Sequence, residues 1–438
     1  MQTIHDAATA IRAGNITPLQ LVEQCLTRID QLDDQVHAWV FVDRDGARAE
    51  AKRLHDEFQR GYYRGPLHGI PIGVKDIFDV FDWPTAAGSK HWANAIARRD
   101  AVVVDRLRQA GAILLGKTVT TAYASFDPPI TRNPWNVERT PGGSSSGSAA
   151  AIACGMCFGA LASQTGGSIT RPASFCGVAG IKPSFGRISV DGVVPLAASM
   201  DHVGVMANTV ADLAILLEAI DGPSPCPALP DLLRAIGEGP EFPDLARLRG
   251  FFDERADPVM RNAMDALCEK LREGDMVVRD LSTPSEFHEV IPRHRTIMAV
   301  EAAAFHESRF RRRPDDYPPR ITELLQEGLK TSAPEYARCR DHQRQLSETM
   351  QNYFDDVSAL ITPATLGAAP NATTTGDPAC NSPWSYTGHP TVSLPMAWTD
   401  DGMPLCVQII GPMYEEAELL ALAAHIERII AFPRREVS

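Results

Sequence analysis

Pro141-Gly-Gly-Ser-Ser-Ser-Gly-Ser-Ala-Ala-Ala151 opens a stretch that closes with Ser163-Gln-Thr-Gly-Gly-Ser-Ile-Thr-Arg-Pro172. A flexible Gly/Ser linker does not usually open into an alanine-rich helix, and here such a helix is expected to start near Ser148. Glycine admits positive φ and lets backbone approach a ligand closely. The N–H groups of such a run can form a nest for an oxyanion or a phosphate. The serines add hydroxyls that donate, accept or attack. A phosphate cradle is disfavoured, because the run lacks the Gly-Lys-[Ser/Thr] ending of a P-loop, follows a polar turn rather than an obvious strand, and contains no GxGxxG.

Outward from that stretch, helix and strand signals alternate. Residues 3–32 read as two helices, the first closed by Gly14 and the second capped by Thr17 with Pro18 at its first position. A third helix follows over 43–60, then the turn cluster 65–69 and the apolar strand Ile70–Val74, which ends at Lys75 and Asp76. Residues 100–111 read as a helix closed by Gly111, and 112–117 as a buried strand. The apolar stretch Ala149–Ala162 reads as a closely packed buried helix, shorter than the ~20 residues a membrane span requires. The alternation continues to Ala219 and predicts an α/β fold with a mostly parallel sheet. Residues 222–245, dense in proline and glycine, are the candidate lobe boundary. Beyond them a helix-rich stretch runs over 257–354, then strands at 359–363, 391–398 and 405–411, and a closing helix over 415–430.

The chain has 438 residues, 44% hydrophobic and 22% charged, which is globular composition. Its length admits two or three domains or one large one. Lys+Arg number 42 against 55 Asp+Glu, a formal charge of −13, and this disfavours nucleic acid as a partner. The N-terminus lacks the basic start and apolar segment of a signal peptide, so no membrane association is expected. The nine scattered cysteines read as reduced thiols, which points to a cytoplasmic protein. The lone pair Cys154 and Cys157 falls in the alanine-rich helix pattern and reads as packing. No His or Cys spacing suits a metal.

A hydrolase needs a nucleophile, a base and an oxyanion hole. There is no GxSxG elbow, and none of the twelve histidines stands in a telling setting. A Ser–Lys arrangement remains. It requires a lysine buried deeply enough to be neutral near pH 7. Lys75, at the end of an apolar strand, fits that requirement. It equally fits a solvated strand end paired with Asp76.

The segments GIPIGVKD (69–76), PGGSSSGSAAA (141–151), TGGSITRPASFCGVAGIKPSFGR (165–187), SMDHVG (199–204), GHPTVSLP (388–395) and MPLCVQIIGP (403–412) together resemble the amidase signature family of serine hydrolases. The resemblance covers nearly the whole chain and is densest over 65–210. TTAYASFDP (120–128), Gln164 and TTTGDP (373–378) are most similar to malonamidase and related short bacterial amidases.

The resemblance implies one α/β/α domain over 1–438 with a central mixed, mostly parallel sheet. It implies a catalytic triad of Lys75, Ser144 as the bridging serine on a cis peptide, and Ser168 as the nucleophile. The N–H groups of Thr165, Gly166, Gly167 and Ser168 would form the oxyanion hole. Gln164 stands where most of the family has Asp, and Thr170 where it commonly has Arg. In malonamidase-like members the arginine three residues after the nucleophile, here Arg171, binds a substrate carboxylate. A structural ion pair is the other reading of Arg171. Gly143 and Ser145 are further substrate-binding candidates, Ser145 also a loop support. Asp201, His202 and Cys176 read as structural.

The implied function is cofactor-free and metal-free hydrolysis of a small amide, carrying a free carboxylate as malonamate does, with release of ammonia or an amine. Three alternatives stay open: a carbamate, urethane or biuret-type hydrolase, a glutamine amidotransferase A-type subunit, and a non-catalytic scaffold. The partner is then a small molecule, and a homodimer is what relatives suggest.

Overall fold

The computed structural model describes residues 3–223, 226–240 and 244–437. In chain order the elements are α1 (Ile4–Arg12), α2 (Pro18–Val36), β1 (Trp39–Val42), α3 (Arg44–Gln59), β2 (Pro71–Lys75), α4 (Val102–Gln109), β3 (Ile113–Thr118), α5 (Ser146–Ala153), β4 (Gly159–Gln164), α6 (Thr170–Cys176), β5 (Ala179–Lys182), β6 (His202–Ala207) and α7 (Val210–Ile220). The second half adds α8 (Leu232–Glu238), β7 (Asp244–Leu248), α9 (Pro258–Glu273), β8 (Val277–Leu281), α10 (Val290–Arg312), α11 (Pro319–Lys330), α12 (Ala333–Gln351), β9 (Ala359–Pro363), α13 (Ser382–Thr387), β10 (Thr391–Trp398), β11 (Pro404–Ile410) and α14 (Glu416–Ile430).

Local chemistry sets several boundaries where the sequence places them. Thr17 and Gln20 form a reciprocal capping box at the start of α2, and Pro18 occupies its first position. Strands β2, β3, β4, β6 and β11 are buried along their whole length, as expected for strands covered on both faces.

The strands form one eleven-stranded sheet in the order β1-β3-β2-β4-β6-β5-β10-β11-β9-β7-β8. The sheet is mixed. The expectation of a mostly parallel sheet is corrected here. Among the described residues β3–β2, β2–β4, β9–β7 and β7–β8 are parallel, and the other six pairings are antiparallel. The parallel neighbours β2–β3 and β7–β8 are those with a helix between them, α4 and α9. Where the connection carries no crossover helix, as between β10 and β11 or β5 and β6, the chain returns antiparallel.

Ala149–Ala162 is not one helix. Helix α5 stops at Ala153, Gly155 turns the chain at φ +68°, and β4 begins at Gly159. Cys154 is therefore the helix cap and Cys157 lies in the turn, both buried. Within the candidate boundary 222–245, residues 224–225 and 241–243, with Pro225 and Pro243, lie outside the described residues. The remainder holds α8 and leads into β7, a strand of the same sheet as the strands upstream. No helix among the described residues is long and apolar enough to cross a membrane.

Gly147 shows how tightly the Ser-rich turn is seated. A Cβ there would sit 2.2 Å from the Ala38 carbonyl oxygen and 2.4 Å from the Val119 nitrogen, both backbone. Its N–H also donates to the Val119 carbonyl at 3.0 Å. Gly147→Ala is therefore expected to destabilise the protein by roughly 1–3 kcal/mol through overpacking, seen as a lowered melting temperature. An unchanged melting temperature would contradict this packing.

Candidate active site

The C-terminal end of β2, the turn before α5 and the β4–α6 turn converge on one buried site. Lys75 closes β2 and is fully buried. Its Nζ donates to Ser144 Oγ and to Ser163 Oγ, each at 2.8 Å. Side chains alternate across a strand, so Asp76 faces away from Lys75. Asp76 instead pairs with Lys117 at 2.8 Å, a residue of β3 whose register partner is Val74, on Asp76's side. The reading of Lys75 as a solvated end paired with Asp76 is thereby removed. Burial pushes the Lys75 ammonium down to about 7, against a weaker opposing pull from the charge of Asp201.

Ser144 follows a cis peptide bond, Gly143–Ser144, and is fully buried. Its carbonyl accepts from the Thr121 N–H at 3.3 Å. Ser168 stands just before α6 and keeps 8% exposure. Ser145 is turned to β4, donating to the Ser163 carbonyl at 3.3 Å and accepting from the Ser163 N–H at 3.4 Å.

The turn Thr165–Ser168 is held from outside. The Thr165 carbonyl accepts from His294 Nε2 at 2.8 Å, and the Gly166 carbonyl from Ser385 Oγ at 2.8 Å. Thr165 Oγ1 donates to Asp201, whose carboxylate also takes the Leu196 and Ala197 N–H groups. Gln164 Oε1 accepts from the Ile169 and Thr170 N–H groups at 2.9 and 3.0 Å, and Gln164 Nε2 donates to Ser385 at 3.1 Å. Gln164 thus satisfies orphan N–H groups at the start of α6. Gly167 has no room for a side chain, since a Cβ would lie 2.6 Å from Asn381 Oδ1.

Arg171 is fully buried at the start of α6. Its Nη2 donates to the Gly143 carbonyl at 2.8 Å and reaches Thr375 Oγ1 at 3.4 Å. Nε and Nη1 have no partner, and no carboxylate among the described residues lies within ion-pair distance. Burial pushes the guanidinium down to about 10, opposed by the charge of Asp377. Asn381 Oδ1 and Ser382 Oγ are likewise buried without partners, near Gly167 and Gly166. The Arg171 nitrogens and Ser382 Oγ suit an acceptor group on a bound molecule, and Asn381 Oδ1 suits a donor, because unmet buried polar groups are costly.

The arrangement can hold a neutral amine against one serine, present a second serine to a ligand, and surround that ligand with fixed donors. Sequence reasoning missed Ser163, His294 and Ser385. Ser163 is the residue before Gln164 and carried no distinguishing mark. His294 and Ser385 reach the site from α10 and α13, through contacts that only the fold reveals. Among the described residues no group of His, Cys, Asp and Glu could hold a metal.

The chain is similar to known proteins over nearly its whole length. A family model described as Amidase matches residues 20–420. A Mycobacterium tuberculosis (strain ATCC 25618 / H37Rv) protein named "Putative amidase AmiD" is 35% identical, covering 98% of this chain and 94% of its own. The A subunit of the glutamyl-tRNA(Gln) amidotransferase of Chloroflexus aggregans is 31% identical, covering 98% of this chain and 96% of its own. A solved structure, reported for an "unexpected vestigial protein complex" bearing on the origins of "an s-triazine catabolic enzyme", superposes with TM-score 0.92 at 30% identity over 100% of both chains. The finer resemblance to malonamidase gains no support from these relatives.

The ¹³Cε resonance of Lys75, recognised by its loss in Lys75→Met, is expected to titrate near pH 7. Titration close to the ordinary lysine value of 10.5 would contradict its burial among hydroxyls alone.

Proposed function

From the premise that this chain belongs to the Amidase family and is a hydrolase acting on carbon–nitrogen bonds, we propose that it cleaves a small amide bearing a free carboxylate through Ser168, Ser144 and Lys75. The observation that carries this reading is Lys75 Nζ, buried without a carboxylate partner and 2.8 Å from Ser144 Oγ. A lysine held neutral can accept a proton. Ser168 Oγ attacks the amide carbonyl, and its proton passes through Ser144 to Lys75. The N–H groups of the Thr165–Ser168 turn take the oxyanion, where prealigned donors in a dry site are most effective. Lys75, through Ser144, returns the proton to the departing nitrogen, and ammonia or an amine leaves. Water then cleaves the acyl-Ser168 ester by the same relay.

The acid group is supported by Arg171. Its Nε and Nη1 are buried donors without a protein partner, and a carboxylate is an acceptor that can meet them. Two relatives favour further readings of the same chemistry. The structural neighbour linked to the origins of an s-triazine catabolic enzyme favours a carbon–nitrogen bond other than a simple amide. The amidotransferase relatives fit a chain that hands ammonia to a partner.

Ammonia release from a panel of small amides, with and without a terminal carboxylate, tests the proposal. Ser168→Ala is expected to lower kcat by about 10³-fold or more. Arg171→Met is expected to lower kcat/KM for acid-bearing amides by roughly 10–100-fold, with a smaller effect on neutral ones. Equal losses on both amide types would discard the carboxylate role. Full activity of Ser168→Ala would discard the triad.

A further inference from the structure

His294 lies on α10, 129 residues beyond the turn it touches. Its buried ring donates from Nε2 to the Thr165 carbonyl at 2.8 Å. One residue on, Ser385 Oγ donates to the Gly166 carbonyl at 2.8 Å. Ser385 already accepts from Gln164 Nε2, so its single hydrogen is directed at Gly166. The cis bond of the described chain is Gly143–Ser144, and the 165–166 and 166–167 peptides are trans. In a planar trans peptide the carbonyl and the N–H point to opposite sides. A donor holding the Thr165 carbonyl therefore turns the Gly166 N–H the opposite way, and a donor holding the Gly166 carbonyl does the same for Gly167. Neither N–H meets a protein acceptor among the described residues. Two consecutive glycines are the most permissive backbone available, so such a turn keeps its aim only through outside anchors.

We infer that His294 and Ser385 are positioning residues, which aim the Gly166 and Gly167 N–H groups at the oxygen of the group attacked by Ser168. The inference rests on the reading of Ser168 given above. Burial supports it by pushing the His294 imidazole down to about 4, so the ring supplies an N–H without adding a charge beside the oxyanion. Steric fit is consistent, since a Cβ on Gly166 would meet His294 Cε1 at 3.4 Å and Ser382 Oγ at 3.4 Å. The Gly166 position therefore faces the His294 ring directly.

The test uses the full chain and an alkyl fluorophosphonate. Ser168 Oγ forms the bond to phosphorus, fluoride leaves, the serine proton goes to the relay, and the phosphoryl oxygen occupies the oxyanion position. His294→Phe is expected to lower the maximal labelling rate about 10–100-fold, with the half-saturating probe concentration changed less than about two-fold. His294→Gln, which can present an amide N–H to the same carbonyl, is expected to recover most of the loss. Ser385→Ala should give the same split and carries the test if His294→Phe does not fold. Wild-type labelling rates in folded His294→Phe or Ser385→Ala, or a loss that lies wholly in probe affinity, would overturn the inference. The control is separate: labelling that persists in Ser168→Ala overturns the reading of Ser168 itself, whereas labelling lost there but unchanged in His294→Phe overturns the positioning role alone.

Discussion

An ammonium group buried against nothing but hydroxyls governs this site. Lys75 has a carboxylate next to it in sequence, yet the strand pleat sends Asp76 to the other face, where Lys117 takes it at 2.8 Å. Lys75 is left with Ser144 and Ser163. Had Asp76 reached it, the pair would have stayed charged, and Lys75 could accept no proton. Burial alone is not the distinguishing feature. Lys182 is also fully buried and also pushed down to about 7, but its Nζ meets the Pro183 carbonyl, which can relay nothing. The useful property of Lys75 is its contact with Ser144, a hydroxyl that can both accept and donate a proton.

The site is assembled from both halves of one sheet. Lys75, Ser144 and Ser168 come from segments around β2, α5 and β4. The groups that hold them come largely from the other half: His294 from α10, Thr375 and Asn381 from the loop before α13, and Ser385 from α13. Asn381 is itself tied to the Ala364 carbonyl and to Gln408 of β11. The antiparallel β5–β10–β11–β9 segment brings these loops against the β4–α6 turn. A turn of glycines gains its geometry from neighbours distant in the chain, and this is where the fold contributes to chemistry.

What could be read in advance follows from how local each signal is. The Thr17–Pro18 start of α2 and the buried strands β2 and β3 are written in adjacent residues and were legible. The extent of the helix within Ala149–Ala162 was not, because an apolar run carries no periodicity to separate helix from strand. Gly155 was the available breaker. The sheet's directionality was misjudged because pairing partners, unlike the elements themselves, are set by long-range contacts. Lys75, Ser144, Ser168 and the Gly166–Gly167 turn lie in motif segments and could be nominated from residues and resemblance. That Lys117 would take Asp76 depended on the β2–β3 register. His294 had no chance of being singled out, since one histidine on a long helix is ordinary until α10 is seen against the β4–α6 turn.

The most direct test of the central claim is the pH dependence of Ser168 acylation by a fluorophosphonate in wild type and in Lys75→Met. If a neutral Lys75 draws the proton through Ser144, the wild-type rate rises with pH through about 7 and then levels. In Lys75→Met that rise disappears and the rate stays low. A wild-type rate that is flat across the neutral range, or that rises only near the ordinary lysine value of 10.5, would contradict the account.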